Sequence, residues 1–561
     1  MNSADFIARE LARQGVRHVF GVGGANIEDL FAAVQRRRPS MRMVLGKHEH
    51  AAGTAADAYA RLGGGLGVVF VTSGGGAMNL VHALAEARAS RVPVLAIVGE
   101  PPTELQGQGA FQDTSGRDDT VDAAKVFGAV ALSCSRVERP ADVPRLLAEA
   151  IAIARGPRSG PAVLLIAKDR QCAAWPQSDP TTNVVPVSPM PLAPDVEAVR
   201  RGARMLDTRP VVIIAGDGVG RAGAGDELAR IAQALDARVA VTPDGRDAFD
   251  NHVSRFLGVS GAMGHSAVER ALSDASACLL VGTRMPILAR NGVEARLREL
   301  PLVSVGFDAP YVTSSRACHL GGDLRENLRG LLAQLITRGE TDRHAGSMWP
   351  TETPGPTDTW ESPAILAAIE RALPEESVVI VDAGNTGAQA IHHLRAPRGG
   401  RWVVAMGMAG MGYSFGAAVG AALATGRRCT VLAGDGAFFM HGLDIHTAIE
   451  HALPITYVIW NNRAHGMCLV RERLLMGAES GYNTFRPSRL GAGLAVMFPG
   501  LAACDCATPE ELERALREAA ASDGPAVIGI DVPSVEVPPF AAFREALANV
   551  RVGEEATEGR P

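Results

Sequence analysis

The run CTVLAGDG (429–436) is followed, one helix-length later, by ITYVIWNN (455–462), and no other feature constrains the chain as tightly. Each is a short apolar stretch closed by polar turn residues, with AFFMHGLDIHTAIEHALP between them. Continuous apolar runs of this kind fit strands buried on both faces. Two such strands joined through a helix lie parallel, by a right-handed crossover. Their carboxyl ends then share one edge of the sheet, where open α/β sheets bind ligands. Asp435 and Asn462 meet at that edge. A carboxylate, an amide oxygen and a nearby backbone carbonyl suit a hard cation such as Mg2+, which usually keeps places for water and a substrate phosphate. GDG and NN are also ordinary turn formers. The chain carries its own control, because a second GDG at Gly216–Gly218 has no NN at a comparable distance.

The same alternation of apolar run, glycine turn and Ala-rich helical stretch recurs along the chain. MRMVLG (41–46), LGVVFVTSG (66–74) and VPVLAIVGE (92–100) form one block, and RPVVIIAGDG (209–218) and ACLLVGTR (277–284) a second. SVVIVDAG (377–384) opens a third. Pro-rich polar stretches at about 175–195 and 339–362 have the composition of connectors. The expected fold is α/β, as three consecutive open parallel-sheet domains spanning 1–174, 190–338 and 360–540. The tail 552–561 is polar and reads as disordered.

Composition narrows the function. A chain of 561 residues with 47% hydrophobic and 21% charged residues has the makings of several packed domains. A net charge of −6 without a long basic run argues against nucleic acid as the partner. The eight dispersed cysteines fit reduced thiols in a cytoplasmic protein. The N-terminal MNSADFIARELARQG reads as an amphipathic helix, not a signal peptide, and no apolar stretch reaches membrane-spanning length.

HEHAAGTAADAYAR (48–61) places Glu49 where a short strand has ended and a helix begins. An acid there also simply stabilises a helix N-terminus. Taken with GVVFVTSGGGAMN (67–79) and the GDG…NN pair, however, the segment resembles the thiamine-diphosphate (ThDP) enzymes of the acetohydroxyacid (acetolactate) synthase and 2-oxo acid decarboxylase superfamily. That resemblance covers nearly all of 1–540. It implies a pyrimidine-binding, a middle and a diphosphate-binding domain in that order. Asp435, Asn462 and the carbonyl of Ala464 are then the Mg2+ ligands on the cofactor diphosphate, with Gly434, Gly436 and Ala437 at the phosphate. Glu49 is the proton partner of the aminopyrimidine, and Asn79 lies near that ring. AMGMAGMGYSFGAAVGAALA (405–424) resembles the segment that bends ThDP, which makes Met411 the wedge between its rings and the Ala409 carbonyl an acceptor for its amine. VVIVDAGNTGAQ (378–389) implies Asn385 and Thr386 at the diphosphate.

These enzymes share their first step, and other residues govern the fate of the intermediate. GAFQDTSG (109–116) is similar to a synthase segment, implying Phe111 and Gln112 in the active site, with Lys125 near a substrate-side lysine. Simple decarboxylases carry His or Asp where this chain has Thr72 and Ala25. The resemblance therefore implies decarboxylation of a 2-oxo acid with transfer of the acyl carbanion to a carbonyl acceptor. The alternatives are a non-ligating, benzoylformate-decarboxylase-like enzyme and a ThDP-dependent lyase or hydrolase. There are departures from the synthases. Val470, Arg471 and Glu472 replace a Gln-Trp-Glu triplet, His441 replaces an Asn, and His465 stands beside the metal loop. Arg471 and His465 are candidate substrate contacts, though a solvated face and a structural histidine account for them equally well. In the middle block, Gly218-Val-Gly220-Arg-Ala-Gly223 matches GxGxxG with no well-placed ribose acid. That domain binds FAD in the synthases and ADP in some relatives, and FAD or an empty domain is expected here. A homodimer or homotetramer is implied, because the cofactor bridges domains of two subunits in this family.

Overall fold

A computed structural model describes residues 1–63, 65–174, 193–335, 360–478, 480–543 and 546. Most of both connector stretches and the tail 552–561 lie outside these residues. Three six-stranded sheets follow one another, every pairing within them parallel. The first holds β1 (His18–Gly21), β2 (Arg42–Leu45), β3 (Gly67–Val71), β4 (Val94–Glu100), β5 (Ser133–Arg136) and β6 (Ala162–Ala167), in the order β2-β1-β3-β4-β6-β5. The second holds β7 (Val211–Ala215), β8 (Arg238–Val241), β9 (Phe256–Val259), β10 (Ala277–Val281), β11 (Leu302–Val305) and β12 (Ala317–Leu320), in the order β12-β11-β10-β7-β8-β9. The third holds β13 (Val378–Val381), β14 (Arg401–Val404), β15 (Cys429–Gly434), β16 (Ile455–Asn461), β17 (Ala502–Cys506) and β18 (Ala526–Asp531), in the order β14-β13-β15-β16-β18-β17.

The expected α/β architecture is thus present. The central strands β3, β4, β6, β13 and β16 are buried along their whole length, as helices on both faces require. The first and third sheets share one strand order. In each, the chain runs outward from its first strand and then returns to that strand's other side. The resulting switch points lie between β1 and β3 and between β13 and β15, and they put a crevice at the carboxyl edge.

The first and third units meet through two helices rich in small residues, Glu49–Gly63 and Tyr413–Thr425. A Cβ on Gly416 would fall 2.3 Å from the Ala51 carbonyl oxygen, and one on Gly420 would fall 1.9 Å from that of Ala55. Only glycine lets the two backbones approach this closely. Apolar side chains of both units merge into a single cluster around this seam.

Candidate active site

The switch point of the third sheet gathers the GDG and NN residues. Asp435 follows the end of β15 and is 1% exposed. Its carboxylate accepts the N–H of Arg463 at 2.6 Å and of Gly436 at 2.8 Å. Burial raises its pKa to about 6, and those backbone donors oppose the rise. The Gly436 N–H is therefore turned toward Asp435 and not outward. After β16 the chain turns through Arg463, whose φ of 55° is left-handed. The bridge between Ala464 and Thr484 uses flanking groups, with Phe485 N–H on the Arg463 carbonyl and His465 N–H on the Asn483 carbonyl. The Ala464 carbonyl is left out of that ladder. Asn462 Oδ1 accepts the Ala464 N–H at 3.1 Å, which holds the amide against the same turn.

Asn385 and Thr386 open the helix Asn385–His393 after Gly384, at φ 107°. Asn385 Oδ1 is buried without a partner, while its Nδ2 donates to the Glu536 carbonyl at 3.1 Å. A Cβ on Gly466 would lie 2.6 Å from Asn462 Nδ2 and 2.9 Å from Asn385 Nδ2, so the loop keeps both amides at one spot. His465 Nδ1, also buried and unpartnered, faces Gly436 across 3.0 Å from the position of a Cβ there. A buried carboxylate, an amide oxygen, a spare carbonyl and an orphaned amide oxygen form an all-oxygen set that fits a hard cation with a diphosphate.

The switch point of the first sheet gathers Glu49, Asn79 and Gln112. Glu49 begins its helix and is buried. Asn79 Nδ2 donates to Glu49 Oε2 at 2.9 Å. After β3, Gly74, at φ 62°, caps the next helix, which Gly75 and Gly76 open. A Cβ on Gly76 would meet Glu49 Oε1 and Thr72 Cγ2, each at 2.9 Å, and one on Gly74 would meet Gln112 Cβ at 2.7 Å. Gln112 is itself left-handed at φ 59°. Thr72 in turn packs on Gly24 and accepts the Asn26 N–H at 3.3 Å. Phe111 is 77% exposed, Lys125 has an 86% exposed side chain beside Asp122, and Arg471 is exposed. The structure leaves these three outside the two clusters.

The segment 405–412 lies where the first and third units join. Ala409 is exposed at φ 53°, and Met411 is half-buried against the shared apolar cluster. Four imidazoles close the junction. His50 stacks on His441 at 4.1 Å and on His82 at 4.7 Å, and His48 meets His441 edge-on at 5.1 Å. Of these, sequence reasoning singles out only His441. Cβ atoms on Gly410 and Gly412 would strike His82 and His441 at 2.0 and 2.5 Å. Burial and the neighbouring imidazoles lower the pKa of His50 to about 2 and of His441 to about 4. Both rings are thus neutral at pH 7 and are poor proton donors. A histidine with a depressed folded pKa contributes stability above its unfolded value of 6.5 and loses it as pH falls toward the folded value. We expect the ring signals of His50 and His441 in NMR to stay unchanged from about pH 8 to about pH 5. Titration of either ring near pH 6.5 would contradict this environment.

Sequence reasoning also misses the carboxylates that hold this segment. Asp382, fully buried after β13, accepts the N–H of Gly412 at 2.8 Å and both N–H and Oγ–H of Ser414 at 3.0 and 2.6 Å. Burial raises its pKa. Glu86 accepts from Gly407 and Met408, and Asp57 accepts from Tyr413 Oη at 2.5 Å. Arg61 pairs with Asp57 at 2.9 Å and with Glu86 at 3.9 Å. Removing one partner of such a buried pair costs about 3–5 kcal/mol, and the bonds from Asp57 to Tyr413 and from Glu86 to Gly407 and Met408 join the two units. A signal is present in the sequence, an acid on each of two helices otherwise packed by small residues, but it names no partner.

In the middle unit the glycine turn does not suit a diphosphate. Gly218 N–H donates to the Gly282 carbonyl at 3.1 Å, and Gly216 N–H donates to that of Val281 at 2.8 Å. Asp244, pushed up to about 6 by burial and Asp217, faces the same turn. The glycines serve close packing of two strand ends. Positive charge collects elsewhere, where Arg91, Arg158 and Arg284 converge on Asp308 beside Phe307 and Tyr311. No helix among the described residues is long and apolar enough to cross a membrane.

Three family models match the chain. The thiamine pyrophosphate enzyme N-terminal TPP-binding domain matches residues 1–121, the central domain 203–331 and the C-terminal TPP-binding domain 382–530. Acetolactate synthase isozyme 2 large subunit of Escherichia coli is 28% identical over 98% of this chain and 99% of its own. Isozyme 1 of the same organism is 27% identical over 97% of each chain. Acetolactate synthase 3 of Brassica napus is 26% identical over 97% of this chain and 86% of its own. Among solved structures, a candidate thiamin diphosphate-dependent enzyme from Mycobacterium smegmatis superposes with a TM-score of 0.81. It covers 95% of this chain and 100% of its own at 21% identity, a likeness of fold.

Proposed function

The chain belongs to the thiamine pyrophosphate enzyme family, and from that premise we propose that it is an Mg2+-dependent, acetolactate-synthase-like carboligase. It would decarboxylate a 2-oxo acid and pass the acyl fragment to a carbonyl acceptor. Bound ThDP would supply the nucleophilic carbon and the electron sink for that chemistry.

Each cluster then has a task. Asp435, Asn462 and the Ala464 carbonyl hold Mg2+, with Gly434, Asn385 and Thr386 lining the diphosphate side and Ala437 offering a backbone N–H. Glu49 holds and returns a proton at the aminopyrimidine, and the bond from Asn79 keeps its carboxyl in one orientation. Met411 would pack against the bound cofactor and the Ala409 carbonyl would accept from its amine. The domain limits 1–174, 190–338 and 360–540 and a cytoplasmic dimer or tetramer belong to the same reading. The occupant of the middle unit, FAD, ADP or none, is read from the absorbance spectrum and nucleotide content of the purified protein.

The observation that carries ligation over simple decarboxylation is the neutral lining beside Glu49. The side chains against the Gly74–Gly76 turn, besides Glu49 itself, are Thr72 and Gln112, a hydroxyl and an amide. His50 and His441 are held unprotonated at the unit junction. A hydroxyl and an amide nearest that turn protonate the acyl fragment poorly, which leaves it to meet a second carbonyl. Product analysis with a panel of 2-oxo acids, with and without aldehyde or ketone acceptors, should yield hydroxyketone products. Gln112→His should shift the partition toward free aldehyde by about tenfold or more. A wild type that releases only aldehyde and CO2 with every acceptor would establish the decarboxylase alternative. Cleavage of a diketone or acyl-CoA without ligation would establish the lyase or hydrolase.

A further inference from the structure

We propose that Glu86, in the first unit, is a positioning residue for the cofactor-bending segment of the third. The inference rests on the function proposed above and concerns how the Met411 wedge is held. Segment 407–412 lies between a strand and a helix, so its backbone donors need partners from elsewhere. Glu86 is 2% exposed, on the helix Gly75–Ala89. Its Oε1 accepts the Gly407 N–H at 3.2 Å and its Oε2 the Met408 N–H at 2.5 Å. Ser90 Oγ donates to Oε1 at 2.6 Å, and Arg61 lies 3.9 Å away. A Cβ on Gly407 would sit 2.6 Å from Ala89 Cβ, so glycine brings the chain within reach of the carboxylate.

Two oxygens on two successive N–H groups fix the direction in which the chain enters Ala409. Its exit is fixed by Tyr413 Oη on Asp57 and by Asp382 on Gly412 and Ser414. Arg61 pairs with both Asp57 and Glu86, so one guanidinium ties the entry and the exit together. Between them stand Ala409 and Gly412, both left-handed, at φ 53° and 87°. An alanine persists in that conformation only where its surroundings over-determine it. Glu86 supplies part of that constraint from another unit. Glutamine in its place keeps the shape but turns an NH2 group toward one of the two backbone donors, and one N–H loses its acceptor.

The test is Glu86→Gln in the full chain, read by two measurements that do not depend on turnover. Hydrogen–deuterium exchange of the cofactor-free protein should show amides 407–408 exchanging about tenfold faster, and ThDP with Mg2+ in calorimetry should bind about tenfold more weakly. Glu86→Asp, which keeps the charge, should recover part of both. Ser90→Ala, which touches Glu86 but not the segment, should change neither. A folded Glu86→Gln with wild-type ThDP affinity overturns the proposal, as does a lowered melting temperature with unchanged exchange at 407–408. Should Glu86→Gln not fold, Glu86→Asp carries the test, because it withdraws the carboxylate from Gly407 and Met408 by one methylene, and wild-type affinity with wild-type exchange at 407–408 there overturns the proposal. A wild type that binds no ThDP sinks the functional reading and this proposal together. A wild type that binds, with variants that match it, sinks this proposal alone.

Discussion

Asp435→Ala is expected to weaken Mg2+-dependent ThDP binding by about a hundredfold or more while leaving the fold intact. The carboxylate lies at the end of a fully paired strand, held by two backbone donors that remain when it is removed. Its loss leaves the proposed Mg2+ without its one anionic protein ligand, and two neutral oxygens from Asn462 and Ala464 do not replace it. Calorimetric titration with ThDP, with Mg2+ and with chelator, measures the effect. A folded variant that binds ThDP as the wild type does, and as strongly in Mg2+, would remove Asp435 from the metal site.

Glu49→Gln is expected to keep most cofactor affinity and to slow proton exchange at the thiazolium carbon by about 100- to 10,000-fold. The amide preserves the size of the side chain, and Asn79 still finds an oxygen acceptor. What it lacks is a proton that it can give and take back. Exchange of that carbon's hydrogen for deuterium, followed by NMR after acid quench, reads the step directly, and wild-type rates would refute the role. The two variants together also test the assembly. If Glu49 of one subunit and Asp435 of the other serve one cofactor, mixed dimers of Glu49→Gln with Asp435→Ala regain one intact site. If both residues serve the cofactor within one chain, mixing restores nothing.

The parts of this molecule that are legible in its sequence are those whose causes are local. VVIIA, CTVLAG and ITYVIWN form strands buried on both faces, because an unbroken apolar run leaves a parallel sheet as its outlet. A turn after each carboxyl end then forces Asp435, Asn462 and Asn385 to one edge, and Glu49, Asn79 and the Gly74–Gly76 turn to another. Such reasoning is weaker where one motif serves two ends. Gly216–Gly218 has the letters of a phosphate turn, yet its amides are spent on Val281 and Gly282. The Gly436 N–H likewise serves its neighbour Asp435.

The amino-acid order alone determined the three α/β units and the sheet edges at which Asp435 and Asn462, and Glu49 and Asn79, stand. Tertiary structure decided what supports them: Glu86 on Gly407 and Met408, Asp57 on Tyr413, Asp382 on Gly412, and the stack of His50, His82 and His441. Strand formation and turns arise from interactions among near neighbours in the chain, so their signals are written in short windows. The Glu86 bond to Gly407 joins residues 321 positions apart. No periodicity records such a pairing, because it forms only when a helix of the first unit and a loop of the third come together after both units have folded.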